Sequence, residues 1–373
     1  MQANRIHINE FLNGSKDHLL LDVRSPAEYA HAHMPGAISL PLFSDEERKL
    51  VGTAYKQESR EKAIKIGLDF FGPKMRRIVE EVEGLVQLQK NISTQDNQAP
   101  PAHSTIYIYC WRGGMRSGAV SWLLNLYGFK VFILAGGYKA FRRWSIDTLS
   151  YPFPLKILGG YTGSGKTRVL QELKNKGERV VDLEDLAMHK GSAYGKIGKQ
   201  QPSQEMFENL LALAFAENYK LPKEEHLKAN GGGAEGEKSI WVEDESQRIG
   251  TVNIPGSVWN NMRNSPLYFL EIPFEERLGY LVEEYGSTPV ESLKLATERI
   301  SKRLGGLETK NVLSFLQEEN FKEAFRILLL YYDKRYLKGL HNRNEALSFI
   351  QNVECEKVNP LNAHFLLNQY QTL

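Results

Sequence analysis

The sequence predicts two α/β domains, each built on a parallel sheet, with a helical part at the C-terminal end of the second. Strand patterns alternate with helix patterns along most of the chain, as they do in parallel α/β folds. The two prolines of "SYPFPLK" interrupt this alternation near residue 150, and 373 residues exceed what one ordinary core holds. We therefore expect a first domain over residues 1–147 and a second over 154–373.

The composition is that of a globular protein without a strong overall charge. Hydrophobic residues make up 42% and charged residues 25%, and the net charge is +2, so any nucleic-acid site must be a local patch. No apolar run reaches about 18 residues, and no basic segment precedes an apolar core, so we expect a cytoplasmic protein without a membrane partner. The two cysteines form no CxxC pair, which argues against a disulfide framework or a structural zinc.

In the first domain, "HLLLDV" predicts a strand, "SPAEYAHAH" a helix that Ser25 and Pro26 begin, and "ISLPL" a short strand. From Phe43 to about Asn91 apolar residues recur three and four apart, which predicts helices. The loop "STQDNQAPPAHS" precedes the strand "TIYIYC" and the loop "WRGGMR". A helix from about Ser117, the strand "KVFILAGG" and the closing segment "YKAFRRW" complete the domain.

The second domain begins with the strand "LKILGG", the loop "YTGSG" and the helix "KTRVLQELKNKG". The strand "RVVDLE", the helix "SQEMFENLLALAFAENY" and the glycine-rich loop "ANGGGAEGEKS" follow. The patterns then predict the strands "IWVED" and "PLYFLEI", with a largely helical remainder.

Cys110 stands at the carboxyl end of a predicted strand, where parallel sheets place their ligands. Loop amides, the positive end of the next helix, Arg112 and Arg116 would all favour a thiolate over a thiol. This pattern predicts a nucleophile for anionic or chalcogen substrates. An ordinary buried cysteine at a strand end is the alternative.

The segment "GYTGSGKT" fits the phosphate-binding pattern G-x4-G-K-[ST] between a strand and a helix. Its glycines let backbone amides approach phosphate oxygens, its lysine adds a charge, and its threonine is able to ligate Mg²⁺. The predicted phosphate-binding residues are Gly160, Gly163, Ser164, Gly165, Lys166 and Thr167.

Four carboxylates follow predicted strands near this loop. Glu243 or Asp244 supplies a Walker-B-like acid, although the sequence does not decide between them, and a solvated strand cap is the alternative. Asp182 and Glu184 lie where P-loop kinases meet their second substrate, so they are candidates for substrate contact, metal contact or proton transfer. Helix capping explains them equally well, and no metal site is certain.

Basic and aromatic residues interleave in "GGYKAFRRW", and "SLKLATERISKRLGGLETK" carries five basic residues. Such segments suit a single-stranded RNA loop, because cations follow the phosphates while aromatic rings stack on bases. Packing of the aromatic rings and an ordinary basic helix face are the alternatives.

Three segments of the first domain, "LLLDVRSPAEYAHAHMPGAISLP", "YCWRGGMRS" and "LAGGYKAF", resemble signatures of the rhodanese sulfurtransferase family. In that family the cysteine matching Cys110 carries a persulfide, and we interpret the polar residues of the first segment as structural: Asp22, Arg24, Glu28 and His33. The C-x5-R spacing of Cys110 and Arg116 is also used by cysteine phosphatases. It is longer than in small rhodanese-like domains, which implies a wider cradle for a phosphate-bearing donor or a larger chalcogen.

The order of a rhodanese-like domain, a linker and a P-loop NTPase-like α/β domain with "DLEDLAMHKGSAYG" and "WVEDESQRIG" resembles the bacterial tRNA 2-selenouridine synthases over nearly the whole chain. The resemblance implies a selenotransferase with geranyltransferase activity on the wobble 2-thiouridine of tRNAs for Lys, Glu and Gln. Geranyl diphosphate, bound at the P-loop, would alkylate the sulfur, and selenium from selenophosphate would replace it through a selenyl sulfide on Cys110. The resemblance implies that the enzyme has no tightly bound cofactor and that Mg²⁺ accompanies the diphosphate. It also implies that a selenophosphate-supplying enzyme is a candidate partner.

Two other functions remain open from the sequence. One is an ATP-dependent kinase or ATPase with a rhodanese-like regulatory module. The other is a C-x5-R phosphatase fused to a P-loop binding module, against which Tyr109 weighs, because those phosphatases carry a histidine directly before the cysteine.

Overall fold

The computed structural model describes residues 4–93, 104–189, 200–219, 238–341 and 350–369. The chain divides into two compact units, residues 1–147 and 148–373. Each unit contains a five-stranded sheet whose neighbouring strands are all parallel, so the predicted α/β fold class is confirmed. Most of the predicted loops "STQDNQAPPAHS" and "ANGGGAEGEKS" lies outside the described residues.

The first sheet has the strand order β1-β5-β4-β2-β3. Its central strand β4 buries Ile106 and Ile108 completely, and Cys110 follows directly at its carboxyl end. The strands are β1 (Asn4–Ile6), β2 (Leu19–Asp22), β3 (Ile38–Ser39), β4 (Thr105–Tyr109) and β5 (Lys130–Leu134).

The described residues of the first unit form seven α-helices, and three of them make up the predicted helical segment after Phe43. They are α1 (Ile8–Ser15), α2 (Pro26–His31), α3 (Asp45–Gln57), α4 (Arg60–Phe71), α5 (Met75–Ser93), α6 (Met115–Tyr127) and α7 (Gly137–Leu149). Helix α5 buries Ile78, Val82 and Val86 in the core of this unit.

The structure corrects one predicted helix start and defines one further helix that the sequence left undefined. Helix α6 begins at Met115, because Gly114 occupies the N-cap position and Ser117 already lies in the first turn. The segment "YKAFRRW" belongs to the regular helix α7, in which Tyr138 and Phe141 are buried at the i and i+3 positions of one helical face.

The second sheet has the strand order β12-β11-β6-β8-β7, and β9 and β10 form a separate antiparallel pair. Strand β6 is central, so the phosphate-binding segment follows the strand that lies between β8 and β11. The strands are β6 (Leu155–Gly160), β7 (Arg179–Val181), β8 (Ile240–Glu243), β9 (Arg248–Ile249), β10 (Val252–Asn253), β11 (Leu267–Glu271) and β12 (Ile350–Glu354).

The predicted helical C-terminal part is confirmed, and it has a core of its own. The helices of this unit are α8 (Lys166–Asn175), α9 (Leu183–Leu186), α10 (Gln204–Asn218), α11 (Gly256–Arg263), α12 (Phe274–Tyr285), α13 (Val290–Leu304), α14 (Gly306–Gln317), α15 (Phe321–His341) and α16 (Ala363–Gln369). Leu278, Leu293, Val312 and Leu329 of α12 to α15 are completely buried in one apolar cluster. Within the described residues, no helix combines the length and apolarity that a membrane span requires.

Candidate active sites

The Cys110 thiol lies at the start of a five-residue loop between β4 and α6. Only 3% of Cys110 is exposed, and its Sγ lies 3.2 Å from the Oγ of Ser117. Ser117 is completely buried in the first turn of α6, and its hydroxyl also donates to the Gly114 carbonyl at 3.2 Å. The Ser117 hydroxyl therefore links the Cys110 thiol to the loop backbone at Gly114. The sequence interpretation did not assign Ser117 a contact, although its place in the first helical turn after the loop was the signal available.

The loop is braced by the glycines that follow β5. Gly137 has a φ of +62°, and a Cβ there would lie 2.2 Å from the Cys110 carbonyl oxygen and 2.4 Å from the Gly113 nitrogen. No side chain fits such a close approach of two backbones. The Tyr138 amide also donates to the Cys110 carbonyl at 2.8 Å. The start of α7 thus fixes the position of the cysteine. These contacts explain why the segments "YCWRGG" and "LAGGY" occur together in one domain.

Arg116 is engaged in an ion pair with Glu28 of α2. Its Nη1 lies 2.6 Å from Glu28 Oε2 and its Nη2 lies 3.4 Å from Glu28 Oε1, while the two side chains are 20% and 13% exposed. Burial raises the pKa of Glu28, but the hydrogen bond and charge of Arg116, the Ser25 amide and Arg48 lower it to a net value below the usual one. The charge of Arg116 is therefore balanced by a fixed carboxylate.

Arg112 differs from Arg116 in its surroundings. Its side chain is exposed, and within the described part of the chain no residue forms a hydrogen bond or ion pair with its guanidinium. Of the two arginines predicted for this site, Arg112 is the one whose charge is available to an incoming anion.

A buried aromatic and ionic cluster lies behind the loop. Arg24 is 1% exposed, pairs with both carboxylate oxygens of Asp22, and places its Cζ 3.9 Å from the centre of the Tyr138 ring. Tyr138 and Phe141 are buried, and Trp144 stacks on Phe141 with ring centres 5.6 Å apart. Tyr138 and Phe141 therefore pack in the core, as the alternative interpretation of this segment held, and their rings are not accessible to RNA bases.

The phosphate-binding segment forms one turn between β6 and α8, and this turn brings together all six residues predicted for it. Gly160, Gly163 and Gly165 have φ values of +148°, +80° and +72°, which glycine adopts without a steric penalty. Lys166 begins α8 and its Nζ donates to the Gly160 carbonyl at 3.0 Å. Ser164 Oγ is buried and has no hydrogen-bond partner in the described residues. Thr167 is exposed in the first turn of α8.

The helical part of this unit holds the loop in place. Arg277 of α12 donates to the Thr162 carbonyl at 3.1 Å and pairs with both carboxylate oxygens of Asp333 in α15 at 2.9 and 2.8 Å. The Tyr336 hydroxyl, also from α15, donates to Asp244 at 2.5 Å and lies 3.5 Å from the Gly160 amide. The sequence interpretation missed these residues, because no local spacing connects α12 or α15 to the loop.

The two candidates for the Walker-B-like acid, Glu243 and Asp244, have different hydrogen-bond partners. Glu243 is 2% exposed and its Oε1 accepts a hydrogen bond from the Glu184 amide at 2.7 Å, whereas Asp244 faces Tyr336. Burial, together with the charges of Asp182 and Glu184, raises the pKa of Glu243 well above its usual range. Asp182 accepts from the Asp185 amide at 2.8 Å and so caps α9, as the capping alternative stated.

Glu245 is a further acid at this site, which the sequence interpretation passed over. Burial raises its pKa well above the usual range, Glu184 and Asp244 raise it further, and the charge of Lys166 opposes them. The sequence did contain a signal for this residue, because Glu245 is the third acidic residue in "VEDES". Within the described residues, no group of three or more His, Cys, Asp and Glu side chains has a geometry that would hold a metal ion.

Comparisons with known proteins identify the family of both units. The family model of the tRNA 2-selenouridine synthase AAA domain matches residues 153–359, and that of the rhodanese-like domain matches residues 8–143. A tRNA 2-selenouridine synthase of Hydrogenovibrio crunogenus is 35% identical over 91% of this chain and 93% of its own length. Its counterpart from Marinobacter nauticus is 36% identical over 91% and 87%, and that from Pseudomonas syringae pv. syringae is 34% identical over 88% and 86%. Family models and relatives thus cover both units, and the chain belongs to the tRNA 2-selenouridine synthase family.

Proposed function

We propose that this enzyme converts wobble 2-thiouridine in tRNAs for Lys, Glu and Gln into 2-selenouridine in two steps. Geranyl diphosphate first alkylates the sulfur, and selenium from selenophosphate then replaces the S-geranyl group. The observation that carries the proposal is the presence, on one chain, of a braced cysteine loop and a glycine-rich P-loop turn that ends in Lys166. The tRNA substrate would place the enzyme in the cytoplasm, with a selenophosphate-supplying enzyme as a partner.

The P-loop has the features that a diphosphate leaving group requires. The left-handed glycines leave room for phosphate oxygens near backbone amides, and Lys166 supplies a positive charge. The exposed hydroxyl of Thr167 suits Mg²⁺ carried in with the diphosphate, which would neutralise charge on the leaving group. During alkylation the C–O bond to diphosphate breaks, the S–C bond forms and the base loses its N3 proton. The released diphosphate carries basic oxygens and is our candidate acceptor of that proton.

Selenium transfer would use the Cys110 sulfur. We propose that Sγ carries selenium as a selenyl sulfide, with the Ser117 hydroxyl turning from the Gly114 carbonyl to donate to the charged chalcogen. Forming this bond from a thiol and selenide-level selenium releases two electrons, which an acceptor of the disulfide class takes up. The terminal selenium then attacks C2 of the base, and the S-geranyl group leaves as geranyl thiol. Two further thiols reduce the selenium–sulfur bond and become a disulfide, which leaves the selenium on the base and returns Cys110 to the thiol. The exposed guanidinium of Arg112 is suited to bind the phosphate group of the donor.

A basic surface on α13 supports an RNA substrate. Arg299, Lys302 and Arg303 are exposed and spaced three and four residues apart, so they share one face of the helix. None of them forms an ion pair with another described residue, which leaves three cations for phosphate contacts.

Mass spectrometry of nucleosides tests the proposal directly. Incubation of purified protein with 2-thiouridine-containing tRNA and geranyl diphosphate should yield S-geranyl-2-thiouridine, and later addition of selenophosphate should yield 2-selenouridine. Selenium incorporation without any geranylated nucleoside would refute the two-step order. Rapid ATP hydrolysis without tRNA, combined with unmodified nucleosides, would favour the ATPase alternative instead.

A further inference from the structure

Two large apolar side chains lie at the cysteine loop with much of their surface in solvent. Trp111 directly follows Cys110 and is 40% exposed, and Met115 is the first residue of α6 and is 49% exposed. Single exposed apolar side chains are common on protein surfaces and need no explanation by themselves. These two differ because each is fixed next to the thiol that the proposed reaction uses.

Trp111 is anchored beside Cys110 by its backbone and by its ring. Its carbonyl accepts a hydrogen bond from the Lys139 amide at 3.1 Å, directly after the bond from the Tyr138 amide to the Cys110 carbonyl at 2.8 Å. The centre of its ring lies 5.7 Å from that of Tyr138 and 5.9 Å from Cζ of Arg24. The indole therefore contacts buried side chains while part of it stays open to solvent.

Met115 belongs to the helical turn that contacts the thiol. It precedes Ser117 by two residues, and the Oγ of Ser117 lies 3.2 Å from the Sγ of Cys110. A Cβ added at Gly114 or at Gly118 would meet no group of the described residues within 4 Å outside its own turn of chain. The surface around Met115 is thus unobstructed, and methionine adapts its shape to apolar ligands.

The reaction proposed for Cys110 brings a hydrocarbon to this surface. The selenium on Sγ attacks C2 of the base, and the sulfur that leaves is bonded both to C2 and to the geranyl group. The hydrocarbon therefore begins two bonds from the reacting carbon, so every pose that delivers C2 to Cys110 carries the geranyl chain to the cysteine loop. Selenophosphate has no apolar surface, so it gives no reason for Trp111 or Met115 at this place.

We propose that Trp111 and Met115 form the surface that binds the geranyl group of S-geranyl-tRNA while selenium replaces its sulfur. The proposal rests on the two-step function proposed above. Burial of one methylene contributes about fourfold in affinity. A surface that covers one side of the chain buries about three methylene equivalents, so kcat/KM of selenium exchange should be about 60-fold higher for S-geranyl- than for S-methyl-2-thiouridine.

A tRNA that already carries the modified base isolates this step. The full-length protein receives S-geranyl- or S-methyl-2-thiouridine tRNA with selenophosphate, thiol and disulfide, and nucleoside mass spectrometry measures 2-selenouridine. Trp111→Ala removes most of the surface, so the geranyl-to-methyl ratio of kcat/KM should fall about tenfold, while Trp111→Phe should retain most of it. A distorted loop would slow both substrates alike, so the ratio separates contact with the hydrocarbon from a structural role.

Two variants of α6 complete the experiment. Met115→Ala shortens an exposed side chain at the start of the helix, where alanine is favourable, and should lower the ratio about threefold. Trp122→Ala is the matched control, because Trp122 is 50% exposed and lies about 10 Å further along the same helix than Met115. This variant should keep the wild-type ratio.

A fall in the ratio confined to the Trp111→Ala and Met115→Ala variants would support the proposal. An unchanged ratio in both variants, an equal fall in Trp122→Ala, or a wild-type ratio near one would overturn the hydrocarbon surface alone. Where Trp111→Ala fails to fold, the ratio of Met115→Ala decides in the same way. A wild-type protein that leaves S-geranyl-tRNA unconverted would overturn the proposed exchange function together with this surface.

Discussion

Replacement of Glu28 by glutamine tests whether Arg116 braces the cysteine loop. Glutamine keeps an acceptor for the Ser25 amide, so the start of α2 is preserved while the negative charge is removed. Breaking a fully buried ion pair costs about 3–5 kcal/mol, whereas a surface pair contributes less than about 1 kcal/mol. Glu28 and Arg116 are 13% and 20% exposed and joined by two hydrogen bonds, so we expect a coupling of about 2 kcal/mol.

A double-mutant cycle of Glu28→Gln and Arg116→Gln measures this coupling by urea unfolding, followed by tryptophan fluorescence. The pKa of Glu28 lies below its usual value of 4.5, so its stabilising contribution is fully present above pH 4.5 and is lost as the pH falls through the lowered pKa. A coupling below about 0.5 kcal/mol at pH 7 would show that the pair does not hold the loop. Arg116 would then be available as an anion ligand, and our distinction between it and Arg112 would fail.

Three further predictions concern the lysine and the two cysteines. Cys110→Ser should abolish selenium incorporation while S-geranyl-2-thiouridine accumulates, and normal 2-selenouridine in nucleoside mass spectrometry would contradict the carrier role. Lys166→Ala should block geranylation itself, because the diphosphate loses its cation, so unchanged geranylation would exclude the P-loop as the donor site. Cys355→Ser should leave both steps intact, because Cys355 is buried in the core and burial raises its pKa to about 11. Lost activity in a folded Cys355→Ser protein would instead indicate a resolving thiol.

The parts of the structure that sequence predicts well are those fixed by local patterns. Strand β4 before Cys110 and strand β6, which ends at Gly160, are rich in apolar and aromatic residues with only Lys156 charged, and a glycine-containing turn follows each of them as expected. Strand β12 was not predicted, because in "IQNVE" only Val353 is buried and an edge strand carries little apolar periodicity. Helix α7 was left undefined, because its aromatic residues suggested a binding surface rather than one buried helical face.

The contacts that complete the two sites are the parts that sequence does not supply. Arg277 and Tyr336 reach the P-loop from helices that follow it by more than one hundred residues, and their contacts depend on how α12 and α15 pack. The partner of Arg116 was equally hidden, because Glu28 comes from the other end of the domain. Residue type and spacing identify an anion-binding loop, whereas packing decides which cations remain available within it.

The position of β12 in the chain has a consequence for biosynthesis. Strand β11 ends at Glu271 and pairs with β12 only after α12 to α15 have been made, whereas all strands of the first sheet lie before residue 135. A chain emerging from the ribosome is therefore able to assemble the cysteine-bearing sheet well before the P-loop sheet is complete. Until Ile350 emerges, the apolar strand "LYFLE" has one unpaired edge, which is open to association with other chains.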